Sequence, residues 1–458
     1  MGMTTSPRLR ACVSLSAALG SLVIWASTAL AADLRIATFR TDITPWPGET
    51  LVWTTNLIKV EEPLLAKGIV LADGPNRFVV CAFDWCLMGN ESELAFRKAL
   101  AAAAQTDPAR VAVQCLHQHA APYSDEGAHR LLDAATNPPP HLSGKFLDAA
   151  RAQLSAAVQE AVGRLEPFNQ VGTSQAKAER IASIRRLRDE QGRPITRWSN
   201  SAKDPTLAAF PEGPIDPWVK TITFARDGQP LARLHYYATH PQTFCCDGRA
   251  SADFVGLARQ AVEKRDHVFQ IYFTGCAGDV TPGKYSDGSP KAMAELSQRL
   301  QAAMLASIER THLVPASNLV WRTESFVFPL RGDEAEVRAQ CRKAIDTPAL
   351  SGNERVFQGA MRLAYVDRLA RPIQVSSLQI GNAHILHLPG EPMVAYQLFA
   401  QQTKPADFVA VAGYGDCGCS YICTDAAIAE GGYEPSASNA GKGGEAVLKK
   451  AIVGLLGE

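Results

Sequence analysis

The pattern that most restricts the fold is that strand-like runs come in adjacent pairs, interleaved with long helical periods. Residues 68–74, GIVLADG, run as an extended apolar segment into a turn, and residues 77–83 return as its partner. Residues 218–238 repeat the arrangement around Asp227-Gly228, a dipeptide suited to a tight hairpin turn. Helical spacing marks 91–105, with Asn90 as N-cap, and 144–164, closed before Pro167. It also marks 253–265, 291–309, 332–345, 393–403 and 441–456. Further strands are expected over 111–115, 268–273, 317–329, 373–388 and 407–413. Strands and helices mix with several hairpins, which a purely doubly wound sheet does not accommodate. The expectation is an α/β (α+β) class fold: a layered domain with a mixed β-sheet and flanking helices. Residues 32–458 read as one domain, with the polar, loop-rich stretch 166–217 as an insertion near a site mouth.

The first 31 residues read as a signal peptide. Arg8 and Arg10 precede an apolar run that ends in Ala29-Leu30-Ala31, a small-x-small cleavage pattern. No cysteine follows it, which argues against a lipid anchor, and no second run approaches membrane-spanning length. The mature chain is therefore expected to be exported, periplasmic or secreted, without a stable membrane span. Lys+Arg and Asp+Glu both number 46, so the chain has no broad electrostatic grip on nucleic acid, and a small-molecule partner is expected. Export permits disulfides among the ten cysteines beyond residue 31. For Cys417, Cys419 and Cys423, which gather near Tyr414, Asp416 and Tyr421, a disulfide is the more common outcome and a metal the alternative.

Chemistry-bearing residues collect at strand ends, where a sheet fixes positions and loops stay free to bind. Leu116-His117-Gln118-His119 follows the run 111–115. Histidines two apart on a strand point to opposite faces, so His117 and His119 converge only if the chain bends there, as Ala120-Ala121-Pro122 suggests. His240-Pro241 ends a second run, and Pro389-Gly390 delivers Glu391 at the end of a third. Two or three imidazoles with one carboxylate make a catalytic zinc set with one open position. Spacing alone leaves open the reading of ordinary loop and core histidines. The turn FTGCAGDVTPG, 273–283, carries Asp279 and Thr281; it reads either as an oxyanion-stabilising or substrate-positioning turn or as a plain tight turn.

The pieces RTDITPWPGE, VVCAFDWCLM, CLHQHAAP, EGPIDPWV, YYATHPQTF, SADFVG, FTGCAGDVTP, LPGEP and YICTDAAIAEGGYE follow one another from residue 40 to 434. In that order they resemble the catalytic domain of the neutral/alkaline non-lysosomal ceramidase family. The likeness runs from about residue 35 to the C-terminus and is closer to short bacterial relatives that lack the family's C-terminal immunoglobulin-like domain. The resemblance implies amide hydrolysis of N-acyl sphingoid bases by a zinc-activated water. It implies Zn2+ ligands at His117, His240 and Glu391. His119 would assist proton transfer or stabilise the oxyanion, and Thr281 would lie beside the reaction centre. A lipid-like N-acyl substrate follows.

Two positions depart from the family pattern. The zinc-binding tyrosine falls on Gly418, which leaves water, Tyr421, Cys417 or Cys419 as candidate fourth ligands, and H-T-H-S-G-P is H-Q-H-A-A-P. Asp253 and Asp279 are pocket candidates with cap and turn roles as rivals, and Arg185 and Arg186 read as mouth residues or, more simply, a solvated face. Two other readings stand beside the zinc hydrolase. One is a catalytically inactive relative that binds a lipid or glycan; the other is a metal-free hydrolase with Thr281 as nucleophile.

Overall fold

The computed structural model describes residues 1–4, 33–348 and 352–457. The leader read over residues 1–31 lies, beyond residue 4, outside the described residues. The chain divides into two compact units, Met1–Ala32 and Asp33–Glu458. The fold is mixed α/β, with three principal sheets where one was expected.

The first sheet runs Glu166–Pro167, Leu34–Asp42, Leu65–Asp73, Asn76–Phe83, Val111–Cys115. The second runs Phe269–Thr274, Gln229–Tyr237, Trp218–Arg226, Gln170–Lys177, His312–Pro315. The third runs Leu319–Phe326, Ile373–Ile380, Ala383–His387, Phe408–Ala412. Both hairpins form, Asp73 facing Asn76 and Arg226 facing Gln229 in antiparallel register. The run expected over 373–388 is two strands, because Gly381 turns the chain at a φ of 60°.

Each sheet contains one parallel pair. Val111–Cys115 runs parallel to Asn76–Phe83, Gln229–Tyr237 to Phe269–Thr274, and Ala383–His387 to Phe408–Ala412. In a parallel pair both carboxyl ends emerge at the same edge, where ligand-binding loops gather in open α/β sheets. Here the three edges are stitched together. Cys115 N donates to Tyr414 O (2.9 Å), Gly413 N to Thr274 O (2.9 Å), and Thr274 Oγ1 to Leu116 O (2.7 Å). Buried Gln114 adds its amide to Ala412 O (3.1 Å) and Leu388 O (3.3 Å). One polar side chain thus adds a second hydrogen bond to two buried carbonyls that already accept from Leu388 N (2.8 Å) and Gly415 N (3.0 Å).

Helices cover the sheets as the spacing predicts, including Gly144–Gly163, Asp253–Asp266, Pro290–Glu309 and Gly444–Leu456. Two capping expectations are corrected. Gly89, not Asn90, caps Asn90–Ala104, because the Asn90 side chain is committed to Asp125 and Arg368. Ala252, not Asp253, precedes Asp253–Asp266, because the Asp253 carboxylate instead accepts from Thr243 N (2.9 Å) and Phe244 N (3.3 Å). The helix Asn353–Asp367 was not anticipated; it packs on Glu334–Asp346 and on Glu126–Asp133.

Candidate metal centre and its cavity

His117 leaves the first sheet in the left-handed region, φ 72°, a conformation that a residue with a side chain adopts at a cost. That reversal is how two histidines two apart reach one site: the ring centroids of His117 and His119 lie 5.0 Å apart. His240 follows the second sheet and is pinned by its N–H to Val280 O (2.9 Å). Glu391 follows the third, its N–H donating to Ser420 O (2.9 Å). Gly390, at φ 62°, has no room for a Cβ, which would meet Ser420 O at 2.6 Å. All four side chains are buried.

His117 Nε2 stands 3.0 Å from His240 Nε2 and 3.0 Å from Glu391 Oε2, with 3.5 Å closing the triangle. The opposite ring nitrogens fix the tautomers. His117 Nδ1 contacts Cys86 O at 2.9 Å and His240 Nδ1 contacts Ala277 O at 2.6 Å. A carbonyl only accepts, so each ring, when neutral, carries its proton on Nδ1 and leaves its Nε2 lone pair free. Burial, then the charge of His117, push His240 down to about 4, so it is neutral at ordinary pH. For Glu391 burial acts to raise the pKa, but the neighbouring imidazoles of His117 and His240 outweigh it and hold the carboxyl well below its usual range. Glu391 Oε2 has no hydrogen-bond donor. With both rings neutral, two lone pairs and a carboxylate oxygen converge, an arrangement that fits a cation.

A second grouping, Cys86 with His117 and His119, also brings ligand atoms within 4.8 Å. Burial pushes the Cys86 thiol far up, and the His117 nitrogen 3.8 Å from it is the one already bonded to Cys86 O.

Sequence reasoning left three supports without a role. Tyr414 stacks on His117, centroids 4.3 Å apart and 19° from parallel, and fixes that ring's plane. Gln242 Nε2 donates to His119 Nδ1 (3.1 Å), and Ser199 Oγ donates to Gln242 Oε1 (2.6 Å). With the Gln242 amide nitrogen turned to His119 Nδ1, the His119 proton sits on Nε2, which is buried and without a partner. Burial, then His117 and His240, push His119 well below the usual imidazole range, so it is neutral. Arg185, expected on a solvated face, is buried: Nε donates to Glu434 (2.7 Å), and its cation lies 5.2 Å from the Tyr421 ring and 5.0 Å from Tyr433. Arg186 is half-buried and shares Glu434.

The glycine-rich turn is a clamp. Ala277 O orients His240, Gly278 N donates to Pro392 O, and Asp279 accepts from Val394 N (2.8 Å), tying the Glu391 segment to the turn. A Cβ on Gly278 would meet Glu391 O at 2.4 Å. Thr281 Oγ1 accepts from Gly283 N (3.2 Å) within the turn. Asp253 holds the loop that follows His240 through Thr243 and Phe244.

Position 418 is closed to a side chain: a Cβ there would meet Asn90 Oδ1 at 2.1 Å and Arg368 at 2.9 Å. Tyr421 is Glu391's register partner in a short parallel ladder. Cys417, Cys419 and Cys423 are free buried thiols, which corrects the disulfide expectation, and none joins a metal-binding group among the described residues. The disulfide links neighbours Cys245 and Cys246, with Cys245 Sγ 3.9 Å from His119 Nδ1.

His117, His119 and Glu391 line a cavity of about 620 Å³. Trp53, Leu87, Tyr123, Tyr421 and Tyr433 also line it, together with residues of the helices Glu334–Asp346 and Asn353–Asp367. No helix among the described residues is long and apolar enough to cross a membrane.

No family model matches the chain, and no curated protein matches it. Solved structures do. A ceramidase structure described as complexed with C2 and the neutral ceramidase of Pseudomonas aeruginosa each superpose with a TM-score of 0.69 at 16% identity. Each match covers 92% of this chain and 74% of the other. In fold, this chain is a neutral ceramidase-like protein.

Proposed function

We propose that the chain is an exported zinc-dependent hydrolase of ceramidase type, cleaving the amide of an N-acyl, lipid-like compound. The observation that carries the reading is the meeting of two imidazole Nε2 atoms and one carboxylate oxygen at 3.0–3.5 Å in a buried site. Ligand atoms about 2.0–2.1 Å from a tetrahedral zinc lie about 3.3 Å apart, so His117 Nε2, His240 Nε2 and Glu391 Oε2 suit that ion. Two nitrogens and one oxygen are also a donor set that zinc favours. Zinc supplies Lewis acidity at the scissile carbonyl and acidifies water.

The chain's own residues do the rest. His119, neutral and protonated on Nε2, offers an N–H to the oxygen on which negative charge develops. The Ser199–Gln242 pair holds that tautomer. Tyr414 keeps His117 in plane, and the turn through Ala277 and Asp279 keeps His240 and Glu391 within reach of one another. Thr281 and Asp253 act one step back, as holders of the turn and of the His240 loop. The walls of Trp, Tyr and Leu suit an acyl or other apolar portion of the substrate.

A second reading, a ligand-binding relative without turnover, draws on Gly418, where no side chain fits as a fourth ligand. Hydrolysis of a panel of N-acyl amides and esters, before chelation, after it, and after zinc is returned, separates the two. The enzyme reading expects turnover lost with chelator, restored by zinc, and retained by Thr281→Ala. Full zinc occupancy with no turnover on any substrate would favour the binder. Turnover indifferent to chelator but abolished in Thr281→Ala would favour a threonine nucleophile.

A further inference from the structure

The cavity that His117, His119 and Glu391 line is also lined by three guanidinium groups, Arg331, Arg355 and Arg362. Among the described residues none of the three has a carboxylate partner. Arg331 spends its donors on main-chain carbonyls, Nε to Ser438 O and NH2 to Ser436 O. Arg362 gives NH2 to Arg331 O (2.7 Å), and its buried Nε has no partner. The Arg355 side chain is exposed and makes no hydrogen bond or ion pair among the described residues. The one acid on this wall, Glu354, accepts from Gln358 Nε2 (3.1 Å). Burial lowers Arg331 and Arg362 from their usual range, and for Arg331 the neighbouring Arg362 lowers it further.

Half-buried cations that repel one another are costly unless something negative joins them. A guanidinium offers a planar fork of donors matched to a carboxylate or phosphate. Resting on the amidase reading above, we infer that the substrate is an anionic N-acyl compound, its carboxylate, sulfonate or phosphate bound by Arg355 and Arg362 while its amide lies over His117 and Glu391. Arg331 is the scaffold of this wall, since its donors hold the segment 436–438. A neutral ceramide would cover this wall and leave the buried Arg362 Nε without an acceptor, so the wall selects against it.

The test uses charge-matched pairs and reads binding by calorimetry as well as turnover. N-lauroylglycine is compared with N-lauroylglycinamide, which places the anion on the amine side. The mono-N-methylamide of dodecanedioic acid is compared with its methyl ester, which places the anion at the far acyl end. One anionic member is expected to bind at least tenfold more tightly than its neutral twin, and which pair responds identifies the side. In Arg355→Gln and Arg362→Gln that ratio is expected to collapse towards one. Arg355 is exposed, so its variant folds even if the other does not. Equal binding within both pairs, or a preference that survives both substitutions, overturns the inference. Calorimetry keeps the answer independent of catalysis: anion-selective binding without hydrolysis would remove the amidase reading and leave the anion site standing.

Discussion

Two buried polar clusters sit side by side in this fold and are built on opposite plans. In the first, Asp416 accepts from Asn90 N (2.9 Å), Gly418 N (3.1 Å) and Arg368 NH2 (2.5 Å). Asn90 in turn accepts from Arg368 Nε (2.8 Å) and donates to Asp125 (2.7 Å). The cation meets an anion, and among the described residues no side-chain atom of Asn90, Asp125, Arg368 or Asp416 is buried without a partner, so the cluster closes on itself. In the second, His117, His240 and Glu391 aim three acceptors at one point. A closed network is a staple, and its members are needed to fold. An open one is stable only when something from outside completes it. The two are coupled, because Asp416 O also receives Gly390 N (3.0 Å), which positions the residue before Glu391.

The contrast breaks most visibly when one member of each cluster is removed. Glu391→Gln is expected to cut hydrolysis by about 1,000-fold or more, because it takes a ligand from the site where the chemistry is assembled. Without metal, its melting temperature should match or exceed that of the wild type, since one of three mutually facing acceptors is gone. Arg368→Leu should do the reverse, costing about 3–5 kcal/mol in denaturant unfolding by leaving Asp416 buried and unpaired. Swapped outcomes would mean that the open cluster is the staple.

Gln242→Leu sharpens the comparison within the open cluster. It removes the donor that sets the His119 tautomer without touching a metal ligand, and a loss of about 10–100-fold in kcat with metal content unchanged is expected. A parallel loss of metal would instead assign Gln242 to the metal site. Gly418→Ala probes the closed cluster, where a methyl group would collide with Asn90 and Arg368. About 1–3 kcal/mol of destabilisation is expected, and a gain in stability would show that the network has slack.

The smallest expected effect concerns acid. Burial pushes His129 and His387 down to about 3 and His235 to about 4, so all three are neutral in the folded chain. Unfolded, each would bind a proton near its ordinary pKa of about 6.5. The unfolded state therefore holds more protons between about pH 6.5 and 3, and stability falls as pH drops through that window, by at most about 1.4 kcal/mol per pH unit for each group. His129→Phe, beside Phe357, should flatten the unfolding free energy against pH below 6.5. An unchanged slope would mean that His129 is protonated in the folded state.

Much of the site was legible because its chemistry is written into residue types at strand ends: His117, His240 and Glu391 each follow a run of strand-formers. The hairpins were legible because their turns are local. What the chain did not disclose is non-local. Nothing near Val111–Cys115 tells that its end will meet those of two other sheets, because pairing between distant strands leaves no local mark. Gln242 and Ser199 acquire meaning only when His119 arrives from 123 residues away in sequence. Arg185 looked like a surface charge because its partner Glu434 is 249 residues distant. Gly418 looked like a loss; its reason is a steric one, supplied by Asn90 and Arg368 from elsewhere in the chain.

The central claim is that the open cluster is completed by one zinc ion. Metal content of the purified, extensively dialysed protein tests it most directly, measured by mass spectrometry on wild type and on a folded His240→Ala variant. The account predicts one zinc per wild-type chain and essentially none in the variant. A wild-type chain that takes up no zinc when it is supplied, or a variant that keeps a full equivalent, would contradict it.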